Sequence, residues 1–323
     1  MCPLSNIPTM IPSQHTVETP YMVGPVHCYT LDYGEELVLI DTGPPTEAGR
    51  TFLEDHLDLS RLRHVIVTHC HIDHYGQAAW LAQVSDAKIY LPRLDILKNE
   101  QLDRRLSIMF TLIADLGFDD AYLELLRELF TKSSLMPLLP DRYLVAEKDL
   151  PAHLGIEVIG CPGHSQSDLV YSGNGWAVTG DILLRGVFQS PLLDADLETG
   201  GRFRNYRAYC ASIVKLAGLR SKKILPGHRQ HVESVDQTII FYLTKMLHRV
   251  SYLLPHLGNN SVAEVISGLF PSMKDPFHIY LKISEIVFMK DFLAQPALLL
   301  SSLKEIDLYE PLADRFFQVV ERQ

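Results

Sequence analysis

The sequence predicts an α/β fold, and three observations predict it. Short apolar runs flanked by turn residues recur at 65–67, 156–159, 176–178 and 223–225, with the length and composition of buried strands. Segments of helical period lie between strands, at 47–56 and 76–84. Beyond residue 231 the apolar spacing is helical, so the chain divides into an α/β region, 1–231, and a helical region, 232–323.

Up to about residue 92, strands alternate with turn signals over 22–24, 29–34 and 37–40, and a further strand is expected at 87–91. A helical insertion then occupies about 94–140. Leu102, Leu106, Met109, Phe110, Ile113 and Leu116 recur at three and four, and Gly117 offers a stop. Asp119 or Asp120 can cap the next run, which carries Tyr122, Leu126, Leu129 and Phe130 and ends in the Met136 to Pro140 stretch. After residue 231 a long helix is expected at 235–254, with Ile239, Leu243, Met246 and Val250 on one side. Ser261 followed three residues later by Glu264 has capping-box form, and further helices are expected at 279–293 and 297–303.

Composition narrows the function classes. At 323 residues with 47% hydrophobic content the chain can bury a large core and is globular. The 39 acidic against 29 basic residues give a net charge of −10, which disfavours a polyanion such as nucleic acid as partner. Five scattered cysteines without a Cys-x-x-Cys pair do not form a disulfide framework, and residues 1–20 lack the basic start and apolar core of a signal peptide. No stretch of about eighteen apolar residues offers a membrane span. A cytoplasmic protein is therefore expected.

The chemistry is concentrated in Thr68-His69-Cys70-His71-Ile72-Asp73-His74. On an extended strand end alternate residues point the same way, so His69 and His71 can converge on one ion while Cys70 faces away. The chain must then turn before Asp73 and His74 reach a second position. Imidazole and carboxylate together suit zinc, iron or manganese, with zinc the default. Downstream, His164 follows Pro162-Gly163, Asp181 follows Gly180, and His228 follows Pro226-Gly227, each after a strand-like run. A lone Pro-Gly-His is more often a turn. Three in order, each beside a glycine that tolerates unusual backbone angles, describe loops aiming side chains at a shared ion.

This pattern, His-x-His-x-Asp-His and then His, Asp and His, resembles the metallo-β-lactamase superfamily over about residues 20 to 231. The resemblance implies a four-layer αββα sandwich as a catalytic domain over 1–231. His69, His71 and His164 would hold a first divalent metal ion and Asp73, His74 and His228 a second, with Asp181 bridging. Asp73 and Asp181 would be the catalytic carboxylates. Asp41, after the run 37–40, would fix a ligand's orientation. The tail, 232–323, is similar to the helical or winged-helix extensions of some superfamily members. Two departures stand out: His27 where many relatives have asparagine, and Arg229 where many have glycine.

The complete ligand set favours hydrolysis. The leading expectation is a metal-bridged hydroxide attacking the carbonyl of an ester or thioester, the substrate being a small molecule, a hydrophobic acyl compound. Tyr75 and His231 are candidate substrate contacts by proximity in sequence, although His231 reads first as a plain surface histidine, with substrate contact or proton donor the alternatives. The insertion 94–140 can be part of a lid over the site, packing on the body, or the surface of a homodimer. Three rival functions stay open: a phosphodiesterase or ribonuclease, marked by a basic track; an iron-dependent oxidoreductase; and a metal-binding signalling protein with little turnover.

Overall fold

Alternation along the strands builds the layers. A computed structural model describes residues 10–131 and 139–321. Strands β1 (Ser13–Val17), β2 (Val26–Asp32), β3 (Leu37–Ile40), β4 (Leu62–Ile66), β5 (Lys88–Leu91) and β6 (Leu144–Val145) form one sheet in chain order. Strands β7 (Glu157–Gly160), β8 (Leu169–Gly173), β9 (Trp176–Gly180) and β10 (Lys223–Pro226) form a second, ordered β10-β9-β8-β7. Both sheets are mixed: β1 to β3 and β7 to β9 pair antiparallel, while β3 to β6 and β9 with β10 pair parallel.

Val38 and Ile40 of β3 lie in one apolar cluster with Tyr171 of β8 and Val178 of β9, so these side chains fill the space between the sheets. The alternate residues Leu37 and Leu39 face the other way. There they meet Leu53 of α1 (Glu47–His56) and, beyond the one-turn helix α2 (Ile72–Tyr75), Leu81 of α3 (Ala78–Val84) and Ile96 of α4 (Arg93–Glu100). The period-two alternation thus gives each sheet two buried faces, and the result is the αββα sandwich.

The outer face of the second sheet carries the largest cluster. Val170, Ala177 and Ile224 meet Ile213 of α8 (Asn205–Ala217), which follows the insertion helices α5 (Leu102–Asp115) and α6 (Asp120–Thr131) and the short α7 (Ala146–Asp149) along the chain. The same cluster takes in Leu106, Met109, Phe110, Ile113, Tyr122 and Leu126 of the insertion. It also includes residues of the tail helices α9 (Val235–Leu257), α10 (Val262–Leu269), α11 (Pro276–Ala294), α12 (Pro296–Glu305) and α13 (Ala313–Val320). Most of the insertion's apolar stripe is buried by this packing on the body.

Several expectations need correction. Residues 22–24 form no strand: Gly24, at φ 89°, closes a turn by donating its N–H to the Tyr21 carbonyl. The edge strand β1, Ser-Gln-His-Thr-Val, has no counterpart among the expected elements, because its mostly exposed, polar residues lack an apolar period. The helix expected at 76–84 is present as α3, starting two residues later, and a separate one-turn helix, α2, not among the expected elements, carries Asp73 and His74. The tail's described elements are helical, so the paired strands that a winged helix needs are not among them. Residues 136–138, expected to end the insertion, lie outside the described residues.

Among the described residues no single helix is long and apolar enough to cross a membrane. The bent pair α11 and α12, turned by 82°, passes on length and composition together. Phe288, Phe292, Leu299 and Leu303 of that pair are buried in the core.

Insertion and tail meet at Gly117. This residue has φ 95°, and a Cβ there would lie 2.8 Å from the side chain of Ser261, the capping-box residue of α10. Gly117→Ala is expected to destabilise the fold by about 1–2 kcal/mol or more, from the left-handed backbone alone and further from the contact. Urea denaturation of parent and variant checks this.

Candidate metal centre

The seven predicted ligands converge at the edge of the sandwich where β4, β7, β9 and β10 end. The Asp41 turn organises this edge. Asp41 follows β3 in the left-handed region, at φ 60°, and is fully buried. Its carboxylate accepts from the Thr68 N–H (2.8 Å), from the Thr68 hydroxyl (2.8 Å) and from His74 Nδ1 (2.8 Å). One side chain therefore ties the end of β3 to the loop after β4 and to α2. The short helix α2 supplies the turn that the spacing required, returning Asp73 and His74 toward the strand end.

Two groups of donor atoms result. His71 Nδ1 lies 2.8 Å from His69 Nε2 and 3.0 Å from His164 Nε2. Asp73 Oδ2 lies 3.3 Å from His228 Nε2, and Asp73 Oδ1 4.0 Å from His74 Nε2. Asp181 stands between the groups, with Oδ2 3.9 Å from His164 Nε2 and 3.6 Å from His228 Nε2, and Oδ1 3.4 Å from His74 Nε2. His69, His71 and His164 form one set able to hold a cation, and Asp73, His74 and His228 another.

The far side of each ring settles which nitrogen faces inward. The Nδ1 atoms of His74, His164 and His228 meet Asp41 Oδ2, the Ser190 carbonyl (3.0 Å) and the Pro25 carbonyl (2.7 Å), groups that only accept. Each Nδ1 must therefore carry the hydrogen and leave Nε2 bare. His69 Nδ1 likewise donates to Thr68 Oγ1, whose own hydrogen goes to Asp41. His74 Nε2, His228 Nε2 and Asp181 Oδ1 are buried with no hydrogen-bond partner among the described residues. Buried polar atoms left so are costly, which is the mark of a missing ligand rather than of packing.

Charge points the same way. Burial and then neighbouring imidazoles push the proton affinity of His69 well down, and burial with His164 takes His71 down to about 3. These rings are neutral donors. At His74 burial acts in the same direction but is outweighed by Asp181, Asp41 and Asp73, and at His228 by Asp181 and Asp73, so both are raised. Against burial, the same imidazoles hold Asp181 far below the carboxylate range and Asp73 below it. The carboxylates demand positive charge, and a dication meets that demand in place of protons.

Glycine makes room for the convergence. A Cβ on Gly227 would lie 2.5 Å from Asp181 Oδ1 and 2.6 Å from His74 Cε1, and one on Gly180 2.9 Å from Thr68 Oγ1. The two departures turn out to touch each other. Arg229 holds φ 67°, a conformation that favours glycine, and its carbonyl accepts from His27 Nε2 at 2.6 Å. Tyr75 is buried in the outer apolar cluster, on which Cys70 also packs. His231 is exposed. Cys70 packs on the outer apolar cluster, facing away from the ligands as its strand position predicted.

Sequence reasoning missed two features. The first is a buried charge network. The Cys70 N–H donates to Asp95 Oδ2 (2.7 Å), and Lys98 Nζ donates to Asp95 Oδ1 (2.8 Å) and to Ser167 Oγ (3.0 Å). Lys98 also lies 3.6 Å from Asp194, which Arg105 grips in bidentate fashion at 2.7 and 3.0 Å. The first turns of the insertion thus brace the His69–His71 loop and the 165–168 loop after His164. Nothing in a single sequence marks Asp95 and Lys98 off from surface charges. The second is Tyr21, a half-buried residue whose phenol is raised by burial and then by the charge of Asp73. The signal was present: Pro20, Gly24 and Pro25 bracket a turn next to β2.

The model of the metallo-beta-lactamase superfamily matches residues 21–228. The chain belongs to that superfamily. It is 26% identical over 289 residues to the probable metallo-hydrolase YqjP of Bacillus subtilis (strain 168), covering 83% of this chain and 88% of the relative. Among solved structures it is similar to a metallo-beta-lactamase family protein, TTHA1429, from Thermus thermophilus. The TM-score is 0.64 at 21% identity, covering 88% of this chain and 94% of that one. A beta-lactamase domain protein from Burkholderia ambifaria gives a TM-score of 0.70 at 19% identity, covering 88% and 86%. These structural likenesses establish the shared fold.

Two substitutions test the supports. Asp41→Ala is expected to weaken metal affinity by about 10–100-fold, read by chelator competition, because His74 and His69 lose their orientation. Lys98→Met strands the buried Asp95 carboxylate and is expected to cost about 3–5 kcal/mol in urea denaturation. Adding Asp95→Asn, which removes the charge and can still accept from Cys70, should recover part of that loss.

Proposed function

We propose that the chain is a dinuclear-metal hydrolase that cleaves an ester or thioester carrying an apolar arm. One observation carries the reading: three inward atoms, on His74, His228 and Asp181, are buried without partners between two complete donor sets. Superfamily membership and the metallo-hydrolase name of the Bacillus subtilis relative support it. His69, His71 and His164 would hold one divalent cation and Asp73, His74 and His228 the other, and Asp181 reaches both sets. When bound, such a pair lowers the pKa of a water and polarises a carbonyl oxygen, so no serine or cysteine nucleophile is required. Zinc is the first choice for these donors, which also accept iron and manganese.

The chain's own residues set the remaining conditions. Asp41 and the carbonyls of Pro25 and Ser190, with the Thr68 hydroxyl, keep four imidazoles turned with a bare nitrogen inward. Tyr21, whose phenol is raised by burial and then by the charge of Asp73, is the candidate donor to a carbonyl or leaving-group oxygen. Its neighbour Met22 is 76% exposed on the same turn, which Thr19 pins by bonds to the Gly24 carbonyl and the Tyr21 N–H. This rim offers an apolar contact to an acyl chain. Lys98 and Arg105 are turned to Asp95 and Asp194 and so do not contribute to a basic track for a polyanion.

Metal analysis of the purified chain followed by a panel of esters, thioesters, lactones and single-stranded RNA tests the proposal. Chelation should abolish acyl hydrolysis and added zinc restore it, while RNA cleavage without acyl hydrolysis overturns the reading. Met22→Lys should raise KM for long-chain acyl substrates and leave kcat unchanged, as expected of a contact made equally in ground and transition states.

A further inference from the structure

A second group of metal-type donors lies away from the seven ligands. Glu36 immediately precedes β3, His64 is on β4, and His153 is in the single 3-10 turn Ala152–Leu154 that precedes β7. The catalytic loops follow the C-terminal ends of β4, β7, β9 and β10, so a group at the starts of β3 and β7 occupies the opposite edge. Glu36 Oε2 lies 3.0 Å from His153 Nε2 and 3.5 Å from His64 Nε2, and the three donor atoms all lie within 4.8 Å of one another.

Three facts separate this group from a chance surface cluster. His64 is buried and shares the inter-sheet face of β4 with Ile66, an unusual position for an ionisable ring. Its Nδ1 is engaged with the Tyr90 hydroxyl at 3.1 Å, which turns Nε2 toward Glu36 and His153. The segments are also fixed beforehand. Tyr33 donates its hydroxyl to the Leu154 carbonyl (2.6 Å) and its N–H to the Glu36 carbonyl (2.8 Å), while Arg61 Nε donates to the Gly34 carbonyl (2.8 Å). Burial lowers the proton affinity of His64 despite Glu36, with small contributions from His153 and Lys88, which favours the neutral ring that binds metal.

We propose that Glu36, His64 and His153 form a separate, structural site for a divalent transition-metal cation, zinc by donor set, with water in the fourth position. Two imidazoles and a carboxylate suit zinc, whose bonds of about 2.0–2.2 Å put tetrahedral ligand atoms about 3.3–3.6 Å apart. An ion here joins β3 and β4 of the first sheet to the turn that feeds β7 of the second. It staples the two sheets at the edge remote from the reaction. The site is independent of the proposed hydrolysis.

Equilibrium dialysis of the full chain against micromolar zinc, with metal per chain read by inductively coupled plasma mass spectrometry, tests it. Glu36→Gln and His153→Ala are the variants, since both side chains are partly exposed and neither supports the core. Each variant should bind one zinc ion fewer than the parent while acyl hydrolysis is unchanged. Equal stoichiometry in parent and both variants overturns the proposal. Failure of the catalytic reading would change the parent's total, not the difference between parent and variants. Hydrogen exchange over 146–156 gives a second readout: zinc should slow exchange there in the parent and not in His153→Ala, and no difference refutes the stapling role.

Discussion

Three carboxylates, Asp41, Asp73 and Asp181, are buried within reach of His74 at one edge of a β-sandwich, and the structure around them is arranged to satisfy that concentration of negative charge. Buried charge without a counterpart is among the most expensive features a protein can carry. Here Asp41 is answered by hydrogen bonds from Thr68 and His74, while Asp73 and Asp181 face bare imidazole nitrogens. The glycines at 180 and 227 follow from the same demand, because side chains of this size approach closely only where the opposing backbone has no Cβ.

Support for the edge comes from a region that has no ligands of its own. The insertion begins with α4, whose Asp95 and Lys98 bind the Cys70 backbone and the Ser167 hydroxyl, and α5 adds Arg105 on Asp194. Farther along, the same insertion buries its apolar stripe against the tail helices and the outer face of the second sheet. Insertion and tail are thus one helical layer, and its polar beginning braces the metal loops. The physical link between the C-terminal region and the site runs through this shared core.

His27 and Arg229 are coupled. Arg229 adopts a left-handed backbone, and His27 bonds its carbonyl, while the Gln14 and Thr16 side chains of β1 lie 3.1 Å from the other ring nitrogen of His27. The strain of a non-glycine residue at positive φ is offset by a buried histidine that holds the turn in place. Residue 228 keeps its ring position as a result.

Much of this was legible in the chain itself. The motif 69–74 and the residues His164, Asp181 and His228 announced a metal centre because glycine-flanked ligands at strand ends have a local signature, and they do converge. Apolar runs fixed most strands and the capping box fixed the start of α10, since both depend on neighbours along the chain. Tertiary structure alone decided that Tyr75 faces the core, that His27 and Arg229 meet, that Asp95 and Lys98 are buried, and that Glu36, His64 and His153 come together. Each of these depends on the register of one sheet against another or on helices packed from distant segments, and no local period in a single sequence records which distant residues will share a face.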